Sequence, residues 1–227
     1  MGQHFQRARS EEQRAERREA IVAAAVELLG ERRVAELSLN ELARRTGLAK
    51  SNVLRYFESR EAVLLDVYDR EYRAWLDALA ERMPPRGADA DAVAEAVADT
   101  AAERPMFCEL SANAPGVLER NVSGEVAADY KRAAIANAAR LAELVGERLG
   151  PYSDAAAIAL VGGINLGIGG VWASTQPSPG MAAAYESHPE LAAYRHDFRI
   201  ALREFVATLL TGLAHREPRE PWVLPGD

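Results

Sequence analysis

Apolar residues recur at spacings of three and four through the first eighty positions and never settle into a spacing of two, so this stretch folds as helices rather than strands. Ile21, Val22, Ala25, Val26, Leu28 and Leu29 form one apolar stripe on a first helix predicted from Glu11 to Glu31, with charge on the opposite face. Ser38, followed three residues later by Glu41, predicts the start of a short second helix, because each side chain can satisfy a backbone N–H that the first turn leaves orphaned. Leu39, Leu42 and Ala43 are its inward side. Thr46-Gly47-Leu48 breaks the pattern, and a third helix of about two turns is predicted over Ala49 to Tyr56. Ser59 and Glu61 open a fourth, which runs through Val63, Leu64, Val67, Tyr72, Trp75 and Leu79 to a break at Met83-Pro84-Pro85-Arg86-Gly87.

Beyond that break, helices are predicted at 89–103, 105–113, 116–149, 152–173 and 189–214, with Pro105, Pro115, Pro151 and Pro189 at or near their starts. Residues 174–188 are predicted to be a loop, and the stretch from His215 onward a proline-rich tail. The expected architecture is all-α, with about nine helices in two domains: a three-helix N-terminal domain over residues 1–60 and a larger helical domain over 61–227.

Charge is distributed unevenly along this organisation. The chain carries a net −7, yet residues 1–60 hold twelve Arg or Lys against nine Asp or Glu, leaving fifteen against twenty-five for the remainder. A basic head on an acidic body argues against indiscriminate coating of nucleic acid but allows local phosphate binding, since screening confines the attraction to roughly 10 Å. Cys108 is the one cysteine, so an internal disulfide and a multi-cysteine metal site are excluded. The first twenty residues lack the apolar core of a secretion signal, which places the expected site of action in the cytoplasm. His4, His188, His196 and His215 are scattered without metal-ligand spacing, and no constellation of catalytic side chains stands out; neither catalysis nor a cofactor is expected.

The stretch Ser38 to Phe57, SLNELARRTGLAKSNVLRYF, has the form of a helix-turn-helix: two short helices joined by a tight turn that contains glycine. Ala49, Val53 and Phe57, four residues apart, are expected on one buried face of the second helix, leaving Lys50, Ser51, Asn52, Leu54, Arg55 and Tyr56 outside. Lys50 and Arg55 suit guanine edges or phosphates, Asn52 suits adenine, and Leu54 suits a thymine methyl. A solvated helix hairpin with ordinary surface residues fits the same periodicity.

From Ile21 to Leu65 the sequence resembles the DNA-binding domain of the TetR family: IVAAAVELLGE, then SLNELARRTGLAKSNVLRYFESREAVLL, with the aromatic pair Tyr56-Phe57 and the basic Arg60 at the family's spacing. Arg33 stands where that family usually ends the first helix with glycine. The resemblance implies a bacterial regulator of transcription, acting as a homodimer on double-stranded operator DNA and released, as a repressor, by a small-molecule effector. It implies that Lys50, Ser51, Asn52 and Arg55 face bases, that Thr46, Tyr56 and Arg60 hold phosphates, and that Arg44 or Arg45 touches the backbone. The arginines at 7, 9, 14, 17 and 18 could track phosphate or minor groove, although interspersed Glu11, Glu12, Glu16 and Glu19 fit a plain solvated helix equally well.

The same resemblance implies that the C-terminal domain dimerises and encloses a pocket. The last two predicted helices suit dimerisation. Residues 155–173 are uncharged and rich in glycine (Gly162, Gly163, Gly167, Gly169, Gly170), permitting close helix approach, and the final helix repeats apolar residues at Leu191, Tyr194, Phe198, Ala201 and Phe205. The glycine segment nears the roughly 20 residues of a membrane span, but its Ala and Gly content and Asn165 at its middle argue against one. Trp75, Phe107, Cys108, Asn113, Tyr130, Asn165 and Trp172 are the candidate effector-pocket residues, being large or polar groups amid alanine; ordinary core packing is the competing reading for each.

Overall fold

Ser38 and Glu41 cap each other as their spacing predicts: the Ser38 hydroxyl accepts from Glu41 N at 3.3 Å and Glu41 Oε2 accepts from Ser38 N at 3.1 Å, which fixes the start of the second helix. The computed structural model describes residues 2–216 and 218, with side chains from residue 12 onward. Among these there are eleven helices and no strand: α1 Gly2–Glu31, α2 Leu39–Thr46, α3 Lys50–Val53, α4 Arg60–Arg82, α5 Ala90–Ala102, α6 Pro105–Asn113, α7 Gly124–Leu149, α8 Asp154–Thr175, α9 Pro179–Ser187, α10 Pro189–Ala192 and α11 Phe198–His215. They pack as two units, Met1–Glu71 with Asn113–Ala133, and Tyr72–Ala112 with Ala134–Asp227.

In the first unit Ile21, Val22, Ala25 and Leu28 of α1 are buried with Val34, Leu37, Leu42, Val53 and Phe57, and with Val63, Leu64 and Val67 of α4. Each of the Val, Leu, Ile and Phe side chains contributes about 1.5–3 kcal/mol on leaving water. The chain leaves α1 without a left-handed cap: Arg33 is extended at φ −74° and ψ 155°, and a short 3₁₀ turn at Val34–Glu36 carries the connection instead. Within the predicted helix 116–149, Ala114–Leu118 forms a π turn containing Pro115 and Gly116, and α7 begins only at Gly124, where the Ser123 hydroxyl accepts from Val126 N.

In the second unit α11 packs on α5 and α8. The glycines of α8 make that approach possible, since a Cβ on Gly163 would sit 2.6 Å from Leu209 of α11, and one on Gly167 would sit 2.6 Å from Phe205. By length and composition α8 alone among the described helices could cross a membrane, but half of its apolar window is buried inside the protein.

The C-terminal third departs from the sequence reading. The predicted loop 174–188 contains α9, opened by the Ser178 hydroxyl accepting from Met181 N, and the predicted single helix 189–214 is broken between Ala192 and Phe198. Asp197 caps α11 by accepting from Ile200 N at 2.9 Å, so Leu191 and Tyr194 stand outside that helix. The tail from residue 219 onward lies outside the described residues.

Candidate nucleic-acid interface

The turn between α2 and α3 is made by Gly47 at φ 67° and ψ 17°, a left-handed conformation that a side chain would strain. The Thr46 hydroxyl donates back to Leu42 O at 2.7 Å, closing the last turn of α2. Ala49 then caps α3 with an extended backbone and is exposed, not buried as its spacing from Val53 and Phe57 suggests, because a cap residue precedes the helical repeat. The regular helix is one turn long, Lys50–Val53. Leu54 to Phe57 continue it as a tightened turn, with Arg55 N donating to Asn52 O and Tyr56 N to Val53 O.

Val53 and Phe57 are buried beneath this element, whereas Lys50, Ser51, Asn52, Leu54 and Arg55 are exposed and Tyr56 is half-buried. The outward row therefore offers an ammonium, a hydroxyl, an amide, an apolar surface and a guanidinium side by side, which is the set of groups that base edges and phosphates accept.

Arg45 and Arg60, the other two candidate contacts, are engaged within the chain. Arg45 bridges Glu27 and Glu31 of α1 at 3.0 and 2.9 Å, and those two carboxylates raise its pKa. Arg60 donates to Leu37 O at 3.0 Å and pairs with Glu61 at 2.8 Å. Arg44 is the more exposed of the α2 arginines, 3.7 Å from Glu41. The hydrogen bond from the Ser38 hydroxyl, then the nearby Arg32, holds the Glu41 carboxyl below its ordinary value.

A residue that sequence reading weighed only as one of several α1 arginines ties the motif together. Arg18 donates to Tyr56 O at 2.7 Å, pairs with Asp66 at 3.1 Å, and lies over the Phe57 ring at 4.0 Å. Arg70 extends the set to Asp66 and Glu19, so α1 and α4 hold the end of the recognition element between them. Glu58, next to the aromatic pair, accepts from Ser123 N at 2.5 Å. Only helical position in α1 hinted at Arg18, because its partners lie 38 and 48 residues away.

Residues 21–67 match the family model described as bacterial regulatory proteins, tetR family, and residues 69–217 match that of the tetracyclin repressor-like C-terminal domain. The chain belongs to the TetR family. It is accordingly a regulator of transcription that binds DNA, in a family of DNA-binding regulators rather than enzymes. Among solved structures it is similar to Thermus thermophilus FadR, a TetR-family repressor in complex with lauroyl-CoA, at 21% identity and a TM-score of 0.57, over 90% of this chain and 98% of that one. The fatty acid degradation regulator FadR of Bacillus halodurans is similar at 16% identity and TM-score 0.55, over 88% and 97%. The regulator SCO7518 of Streptomyces coelicolor is similar at 20% and 0.52, over 86% and 99%. No curated protein matches the chain in sequence.

The effector candidates of this TetR-family chain fall in three places. Trp75 and Phe107 are fully buried and stacked at 4.8 Å between ring centroids, with Tyr72 edge-on to both and the Tyr72 hydroxyl 2.8 Å from Asn165 Oδ1. Trp75 Nε1 donates to Thr100 at 3.1 Å. Cys108 is buried with its thiol 3.2 Å from Ala101 O, and burial pushes its pKa up to about 12. Trp172 stands apart from that stack, donating to Glu109 at 2.9 Å and meeting Phe198 edge-on. Asn113 and Tyr130 belong to the first unit, where Tyr130 faces Tyr68 at 6.4 Å.

Proposed function

We propose that this chain is a homodimeric repressor, with residues 1–60 reading a near-palindromic operator and residues 61–227 dimerising and binding the small molecule that releases it. The reading is carried by one observation: the row Lys50, Ser51, Asn52, Leu54 and Arg55 is exposed above buried Val53 and Phe57. Two such elements would enter successive major grooves about 34–36 Å apart, with Lys50, Ser51, Asn52 and Arg55 toward bases, Leu54 toward a thymine methyl, and Thr46 and Tyr56 toward phosphates. Arg45 and Arg60 would act mainly by stiffening the motif, given the partners each already holds. Operator DNA places the working protein in the bacterial cytoplasm.

Dimerisation through α8 and α11 is supported by Leu166 and Phe205, large apolar side chains left 63% and 43% exposed on those helices. In the second unit, the aromatic stack of Trp75 and Phe107 beside the Tyr72–Asn165 pair combines apolar groups with a few polar ones, as small-molecule sites do; Cys108 follows Phe107 in sequence, and Trp172, paired with Glu109, is a separate candidate. Effector binding would select a dimer spacing that no longer fits the operator, a shift limited by the effector's differential affinity for the two states. FadR proteins with bound lauroyl-CoA or stearoyl-CoA share the fold, so acyl-CoA thioesters are the first effectors to test.

The test is to select and sequence the DNA that the purified protein retains from a random pool, then titrate the enriched duplex with and without acyl-CoA. A single enriched near-palindrome, released by the ligand, is the expected result. Equal retention of all sequences would overturn operator reading, and an enriched site indifferent to every acyl-CoA would overturn that choice of effector.

A further inference from the structure

Residues 173–197 join α8 to α11, and from Gly170 to Ala201 no residue is buried in the chain. The stretch forms helix nonetheless. Proline stands at the start of both α9 and α10, the Ser178 hydroxyl accepts from Met181 N at 3.3 Å, and Asp197 closes the stretch as the cap of α11. α9 has nine residues and α10 four, and helices that short are marginal in water unless tertiary packing holds them. α9 packs chiefly on α10, and neither buries a side chain. One chain by itself does not supply the burial that these helices need.

Exposed apolar groups collect on this stretch and on the two helices it joins. Of the eight large hydrophobic side chains exposed among the described residues, six lie between positions 166 and 205: Leu166, Met181, Leu191, Tyr194, Ile200 and Phe205, with Tyr194 78% exposed. Single exposed apolar residues are normal on a monomer, whereas a concentration of this kind marks an interaction surface. Residues 173–197 hold four charged side chains (Glu186, Glu190, Arg195 and Asp197) in 25 positions, against 27% over the whole chain. Charge-poor surface that carries Met and Tyr has the composition of an interface core.

The occupant that fits is a second copy of this chain. Leu166 and Phe205 support the proposed dimer seam, and residues 173–197 run directly between the helices that carry them, so their apolar groups continue that seam. Specific interfaces use about 20–30 residues a side, and Leu166, Ile200 and Phe205 make a small core for one. Met181, Leu191 and Tyr194 double the number of large apolar anchors. We propose that residues 173–197 form a dimerisation arm, in which α9 and α10 fold against the second subunit and bury Met181, Leu191 and Tyr194 there. The inference rests on the proposed homodimer and gives it a part outside α8 and α11.

The dissociation constant of the full chain, measured by sedimentation equilibrium, is compared with that of Met181→Glu/Tyr194→Glu. The double variant is expected to raise it at least about tenfold, as loss of buried interface anchors does, with a cooperative thermal melt to show that the subunit still folds. Hydrogen exchange of the wild-type chain makes the test independent of that variant. The amides of α9 are expected to exchange at least about tenfold more slowly above the dissociation constant than below it. An unchanged dissociation constant in the double variant would overturn the arm and leave the α8–α11 seam standing. Equally fast exchange of α9 in dimer and monomer would overturn it too, and would give the surface to a different partner. A wild-type chain that stays monomeric would overturn the homodimer and the arm with it.

Discussion

Arg18 has a hydrogen bond to a carbonyl, an ion pair and an aromatic face as partners, all on segments far from it in sequence. Arg18→Ala is expected to destabilise the chain by about 1–2 kcal/mol, measured by urea denaturation, because it strips a charged donor from Tyr56 O and a cation from Phe57. Cys108 gives a second prediction at this scale. With its pKa pushed up to about 12 by burial, the thiol is protonated at neutral pH, so a thiol reagent is expected to label it only after unfolding; rapid labelling of the native protein would contradict the packing. Residues whose role is local were legible in the sequence: Ser38 and Glu41 cap each other across three positions. Arg18 was not, since spacing along the chain carries no information about a partner 38 residues away. Ala49 was misplaced for a different reason. The rule that positions four apart share a face holds inside a helix, and Ala49 is its cap.

At the level of elements, α8 offers a matched pair of substitutions. Gly170 and Gly169 are neighbours in one helix, but a Cβ at 170 meets nothing within 4 Å, whereas at 169 it would lie 3.1 Å from the backbone oxygen of Ser111. Gly170→Ala is expected to raise stability by about 0.5–1 kcal/mol through helix propensity, and Gly169→Ala to lose that gain because α6 backbone must move, a contrast read from paired thermal melts. The caps predict acid behaviour. Glu41 is held low by Ser38 and then Arg32, and Glu19 by Arg70, so their stabilisation is complete above the ordinary carboxylate value of 4.5 and is lost as pH falls through their lowered values. Glu41→Gln is expected to lower the melting temperature at neutral pH and to lessen its further fall below about pH 4.5. Elements with a buried stripe were readable, as α2, α4, α5 and α6 demonstrate, whereas α1 begins at Gly2 rather than at the predicted Glu11, well ahead of the apolar stripe that starts at Ile21. α9 was missed because none of its side chains is buried, which leaves no periodicity to read, and the break before α11 was missed because Asp197 resembles any other polar surface residue until its cap is formed.

Residues 1–60 carry more basic than acidic residues and the remainder the reverse, and large apolar side chains are exposed on α8 and α11 at Leu166, Ile200 and Phe205 as well as at Leu54, Ile135, Met181, Leu191 and Tyr194. On the proposed reading, light scattering at micromolar concentration gives the mass of two chains, and Leu166→Glu with Phe205→Glu gives the mass of one; a monomeric wild type would contradict dimerisation. The order of a DNA-reading head and a helical body was legible from the glycine turn, the caps and the aromatic pair. The body's lining was not, because Trp and Phe at helical spacing look alike whether they wall a pocket or fill a core, and Trp75 and Phe107 turn out fully buried and stacked. The most direct measurement is the affinity of Lys50→Ala and Asn52→Ala for the selected operator duplex at one fixed salt concentration. A loss of about 1–3 kcal/mol in each, with relaxed preference at one base position, is the predicted result. Wild-type affinity and wild-type sequence preference in both variants would contradict it.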